Sequence, residues 1–103
     1  MPKFKVQVPH SLSREEAHAR LDHFVDILRQ KFQDSVSDLE QSWEGETLRF
    51  KFKTFGIQLQ GGVTVLEKLL DVEGEIPFTA MMFKGKIESA IKEQLTRLVG
   101  PNG

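Results

Sequence analysis

The sequence predicts an α+β fold: an antiparallel five-stranded sheet covered on one face by two helices, in the order β-α-β-β-β-β-α. Three observations carry this expectation. Apolar residues alternate in five short stretches, they recur at helical spacing in two longer ones, and turn-forming residues separate the stretches. The 103 residues suffice for one modest core, so residues 1–103 are expected to form a single domain.

The first stretch, "KFKVQV", places Phe4, Val6 and Val8 on one face and Lys3, Lys5 and Gln7 on the other, a strand over 3–8 that Pro9 ends. Ser13 followed by Glu16 forms a capping box. Behind it Ala17, Leu21, Phe24, Val25, Leu28 and Phe32 recur at helical spacing, which predicts a helix over 14–33. Alternating segments at 36–44, 46–54, 57–66 and 69–76 then predict a four-strand meander over 36–76. With a two-residue loop at Glu44-Gly45, Glu40 faces Arg49, Asp38 faces Lys51, Leu39 meets Phe50 and Gln41 meets Leu48. A loop at Phe55-Gly56 pairs Phe52 with Leu59 and Phe50 with Gly61. A third loop at Glu67-Lys68, which lacks the glycine or asparagine of a primed turn, pairs Leu59 with Ile76, Val63 with Val72 and Val65 with Leu70. Beyond Pro77 the stripe Phe83, Ile87, Ala90, Ile91, Gln94, Leu95 and Leu98 predicts a helix over about 80–99, stopped by Gly100-Pro101. Gly85 leaves its start open between Thr79 and Lys86.

Charged residues make up 28% of the chain and the formal net charge is −1, so there is no basic field to hold a phosphate backbone. Arg49, Lys51 and Lys53 interleave with Phe50 and Phe52, but alternation sends bases and rings to opposite faces, whereas a nucleic-acid platform needs both on one. No nucleic-acid partner is expected. The chain has no cysteine, which removes disulfides and thiolate metal sites. His18 and His23 are five residues apart, roughly 500° around a helix, and do not make a zinc-binding pair. No HExxH, P-loop, GxGxxG or GxSxG pattern occurs, and the Gly61-Gly62 pair sits inside a strand rather than before a helix. These readings predict a non-enzymatic protein without metal or cofactor. No apolar leader follows Met1 and no run approaches the ~20 apolar residues that span a bilayer, so a cytoplasmic protein without a membrane-spanning segment is expected.

Binding by apolar side chains remains. Across the meander Leu39, Phe50, Gly61 and Gly74 fall in one row of the helix-facing surface. The two glycines either let the sheet coil and the last helix come close, or leave a trough beside Phe50 that admits an acyl chain. Phe78 and Met82 would line the entrance of such a groove between sheet and C-terminal helix. Phe55, at a hairpin tip, and Met81 are candidates for contact with a partner or an apolar surface. Most of "IPFTAMMF", from Ile76 to Phe83, reads as core, with Phe78 and one methionine outside it.

Three stretches, "VPHSLSREEAHARL", "SDLEQSWEGETLRFKFKTFGIQLQG" and "GEIPFTAMMFKGKIESAIKEQL", together resemble the small proteins of the polyhydroxyalkanoic acid system family over nearly the whole chain. The resemblance implies a bacterial protein tied, mainly by genomic neighbourhood, to genes for making or coating polyhydroxyalkanoate granules. It brings no catalytic motif or functional residue with it. The element order is also similar to each half of the TATA-box-binding protein and to helix-grip proteins. That similarity suggests two ideas: a groove under the last helix, and edge-to-edge pairing into a homodimer. The expectation is therefore a non-enzymatic accessory protein of granule metabolism that binds a granule-associated protein or the granule surface and is granule-associated in the cell. The alternative is a carrier or sensor of a small apolar ligand, acyl or lipid, using Phe50, Gly61, Gly74, Phe78 and Met82.

Overall fold

The computed structural model describes residues 2–31, 34, 36–54 and 56–100, without the side chains at positions 25, 27–29 and 31. Five strands and two helices follow one another: β1 (Lys3–Pro9), α1 (Arg14–Lys31), β2 (Val36–Glu44), β3 (Thr47–Thr54), β4 (Ile57–Val65), β5 (Leu69–Glu75) and α2 (Lys84–Val99), with a 3-10 segment (Phe78–Phe83) leading into α2. The fold class and element order are those the alternation predicts. All neighbours in the sheet are antiparallel and lie in the order β1-β5-β4-β3-β2, so the meander runs from β2 to β5 and β1 closes the far side.

The alternation turns directly into burial. Phe4, Val6 and Val8 of β1 are buried, as are Leu59, Val63, Val65, Leu70 and Val72 of β4 and β5, while the residues between them face outward. The helices cover this surface. Ala17 and Leu21 of α1 and Leu95 and Val99 of α2 are its buried contributions, and Ile87, Ile91 and Leu98 pack at the margin. The capping box is half made: the Glu16 N–H donates to Ser13 Oγ at 3.1 Å, while the Glu16 carboxylate turns to Arg20 instead. Of the expected α1 stripe, Phe24 is partly buried; the side chains of Val25 and Leu28, and Phe32 as a whole, lie outside the described residues.

Two of the three hairpin registers agree with the sequence reading. Phe52 pairs with Leu59, Phe50 with Gly61, Val63 with Val72 and Val65 with Leu70. The β4–β5 ladder begins at Gln60 and Glu75, so the expected Leu59–Ile76 pair falls one step beyond it; the Ile76 N–H donates instead to Pro2 O at 3.0 Å. The Glu67-Lys68 loop works without a glycine because His10 holds it. The His10 N–H donates to Lys68 O at 2.9 Å, and Nε2 lies 2.9 Å from Leu66 O, which can only accept, so Nε2 carries the proton. Nδ1 in turn accepts the Leu12 N–H at 3.1 Å and ties the turn to the entry of α1.

The first hairpin is corrected. Glu44 pairs with Thr47, so the loop is Gly45-Glu46, and the cross-strand pairs are Trp43 with Leu48, Gln41 with Phe50, Ser42 with Arg49 and Glu40 with Lys51. Only Gly45, at φ 61, has a positive φ in this loop; that places glycine at the first central position, as a type II′ turn requires, rather than the second. The shift is two residues and keeps every side chain on its expected face. A bulge between Ser37 and Glu40, with Asp38 at φ 53, then brings Ser37 opposite Lys53.

Candidate functional site

In residues 78–83 Phe78 lies outside the core as the sequence suggests, while both methionines rather than one, and Phe83 as well, are exposed. Pro77 is extended (φ −64, ψ 154), and the Ala80 N–H donates to Pro77 O at 2.9 Å, closing a turn of the tighter 3-10 type. The α-helix starts only at Lys84, so Phe83 does not join the α2 stripe. Ile76 before the segment and Ala80 within it are buried. Phe78, Met81, Met82 and Phe83 are 71%, 55%, 89% and 47% exposed. In this six-residue segment four large apolar side chains therefore face solvent around one small anchor, and Lys84 and Lys86 follow directly. Of the residues expected to touch something outside the protein, Phe78, Met81 and Met82 come together here; Phe55 lies outside the described residues.

The other expected site residues, Phe50, Gly61 and Gly74, do fall in one row, because Gly61 pairs with both Phe50 and Gly74. Beside the glycines the space on the helix side is taken up by the protein itself. A Cβ at Gly74 would stand 2.5 Å from Phe4 Cζ and 2.6 Å from Gln60 O, and one at Gly61 would collide with Glu73 O and the Gly74 Cα. The Phe4 ring thus occupies the space above Gly74, and the two glycines let the strand backbones approach each other. Phe50 and Phe52 lie at the margin of the core with ring centroids 6.0 Å apart. Phe78 and Met82 stand outside on the 3-10 segment rather than lining a groove.

A broad concavity of about 660 Å³ opens on the opposite, helix-free face of the sheet. Lys3, Glu40, Arg49, Lys51, Gln60 and Glu75 are among its lining residues, and the expected site residues Phe50, Gly61 and Gly74 border it as well. Its side chains follow a pattern that the cross-strand registers make visible. On this face β1 carries Lys3 and Lys5, β5 carries Asp71, Glu73 and Glu75, and β4 carries the neutral Gln58, Gln60, Gly62 and Thr64. Arg49, Lys51 and Lys53 follow on β3, and Asp38, Glu40 and Glu44 on β2. Each charged strand has one sign, and neighbouring strands of opposite sign pair. Arg49 Nε meets Glu44 Oε2 at 3.1 Å and Lys53 Nζ meets Asp38 Oδ2 at 3.6 Å. No sequence motif announces this striping, which exists only once the strand order is known.

Among the described residues no three of His, Cys, Asp and Glu gather to hold a metal ion. No helix of the described residues is long and apolar enough to cross a membrane. No curated protein and no solved structure matches the chain. One family model does match, over residues 4–99, and it spans β1, the 3-10 segment and the end of α2 alike. By that match the chain belongs to the polyhydroxyalkanoic acid system protein family, PHA_gran_rgn.

Proposed function

We propose that the protein is a non-enzymatic accessory protein of polyhydroxyalkanoate storage that attaches to the apolar surface of the granule through Phe78, Met81, Met82 and Phe83. The family supplies the granule context. The exposure of these four side chains on one short segment is the observation that carries the reading. Burying such a side chain stabilises by about 1.5–3 kcal/mol, and here that stabilisation is left unused in the free protein. The segment is a tight 3-10 turn with its large apolar side chains exposed, which suits contact with an extended surface. Methionine adapts to an irregular surface, while Lys84 and Lys86 keep their charge at the water side of it.

The test is a sedimentation assay with native granules and with protein-stripped polymer particles. Wild-type protein is expected to pellet with both, and the Met81→Ser/Met82→Ser variant, whose altered side chains are exposed and leave the fold intact by circular dichroism, is expected to stay in the supernatant. Equal pelleting of variant and wild type removes the segment from the function. Binding to native granules alone transfers the attachment to a granule-associated protein.

A further inference from the structure

We infer that the free edge of β2 is a docking site for an extended segment of another protein, which adds as a sixth strand with basic side chains on the outer face and apolar ones on the helix face. The two edges of the sheet are unlike. Along β1 the Lys5 N–H already donates to Glu88 Oε2 of α2 at 3.1 Å, Pro9 has no N–H to offer, and alternate residues are buried. Along β2 none of the nine residues is buried, and among the described residues β3 is the strand's single neighbour in the sheet. Glu44 and Thr47 close a two-residue loop, so residues 40, 42 and 44 direct their backbone groups to β3 while Gln41 and Trp43 direct theirs outward.

Chemistry then selects the occupant. On the outer face β2 presents Asp38, Glu40 and Glu44, and the strand it already accepts, β3, answers them with Lys53, Lys51 and Arg49. The Glu44 side chain remains 66% exposed and Glu40 is exposed too, open to a second basic strand on the free side. On the helix face Trp43 is a preformed apolar anchor: its indole N–H donates to Asp22 Oδ1 at 3.2 Å and its ring stacks on His18 at 3.7 Å. A second copy fits poorly. Symmetric pairing of β2 with β2 sets acid rows side by side, and the basic β1 of another copy has its own edge obstructed by Glu88 and Pro9. The Asp38 bulge ends the regular ladder, so the added strand is about five residues long, opposite Glu40 to Glu44.

The probe is a synthetic peptide with the sequence of β3, TLRFKFKT, which alternates basic and apolar residues as the occupant must, beside its charge-reversed counterpart TLEFEFET. At ten times its Kd the basic peptide is expected to slow amide exchange at Gln41 and Trp43 about tenfold and to shift the fluorescence of Trp43, the single tryptophan. The acidic peptide is expected to do neither, and the Glu40→Lys/Glu44→Lys variant to exchange the two preferences. No protection, or equal protection by both peptides, overturns the inference and leaves the acids as guards against edge pairing. A dimer in sedimentation velocity that protects the same two amides without peptide overturns it in favour of a second copy. The Met81→Ser/Met82→Ser variant keeps the peptide response, so loss of granule binding and loss of strand docking are separate results.

Discussion

At Gly74 and Gly61 a single methyl group separates this sheet from one that cannot form. Alanine at Gly74 must displace both the Phe4 ring and the β4 backbone at Gln60, and alanine at Gly61 meets backbone only. Each substitution is expected to cost about 2 kcal/mol or more, with Gly61→Ala the worse, read as a fall in the urea midpoint at unchanged slope. Gly85 provides the contrast: nothing lies within 4 Å of its added Cβ and it sits in the first turn of α2, so Gly85→Ala is expected to stabilise by about 0.5 kcal/mol. Asp38 holds a positive φ that aspartate tolerates and a β-branched residue does not. Asp38→Val is expected to lose about 1–2 kcal/mol, far more than its exposed ion pair with Lys53 contributes.

At the scale of elements, the C-terminal helix is finished by its neighbour. Arg20 of α1 donates to Leu98 O at 3.0 Å and to Gly100 O at 3.4 Å, placing a cation on the open carbonyls at the end of α2. The helix stops before Gly100-Pro101 as expected, but Gly100 itself is extended (φ −72, ψ 164), so the end carries a tertiary cap rather than a left-handed glycine. Arg20→Met is expected to cost about 1–2 kcal/mol and to speed amide exchange in the last turn of α2. Glu16→Gln, which removes only the i,i+4 partner of the same guanidinium, is expected to cost under about 0.5 kcal/mol. Equal losses in the two variants would show that the ion pair rather than the cap holds Arg20 in place.

Across the whole molecule the two proposed contacts sit apart. The 3-10 segment continues from β5, which is three strands from β2, about 14 Å across the sheet. Attachment to a granule and capture of a strand therefore do not compete for the same ground. They also differ in physical origin: apolar insertion is insensitive to ionic strength, whereas pairing with exposed carboxylates is screened. Raising salt to about 0.5 M, where the Debye length is well below 10 Å, is expected to leave the pelleted fraction unchanged and to weaken basic-peptide protection of Gln41 and Trp43 severalfold. The same striping bears on self-assembly: β1 beside β1 sets Lys3 and Lys5 against their own kind, and β2 beside β2 does so with acids. The face charges oppose both symmetric edge dimers.

The sequence by itself determined the fold class, the order of elements, which face of each strand is buried and two of the three hairpin registers. Those properties follow from periodicity and turn chemistry, which act between residues close in the chain or directly paired. The register of the first hairpin was misread by two residues because a glycine in a two-residue loop can occupy either central position, and local sequence does not choose between them. The fate of Phe78–Phe83 was decided only in three dimensions. Apolar composition marked most of the segment as core, with Phe78 and one methionine outside it, yet burial depends on what surface remains nearby; Ile76 and Ala80 are buried there, and the second methionine and Phe83 stay exposed too. The Phe4 ring over Gly74, the Arg20 cap and the one-sign strands are likewise products of tertiary structure, because each joins residues that only the final strand order makes neighbours.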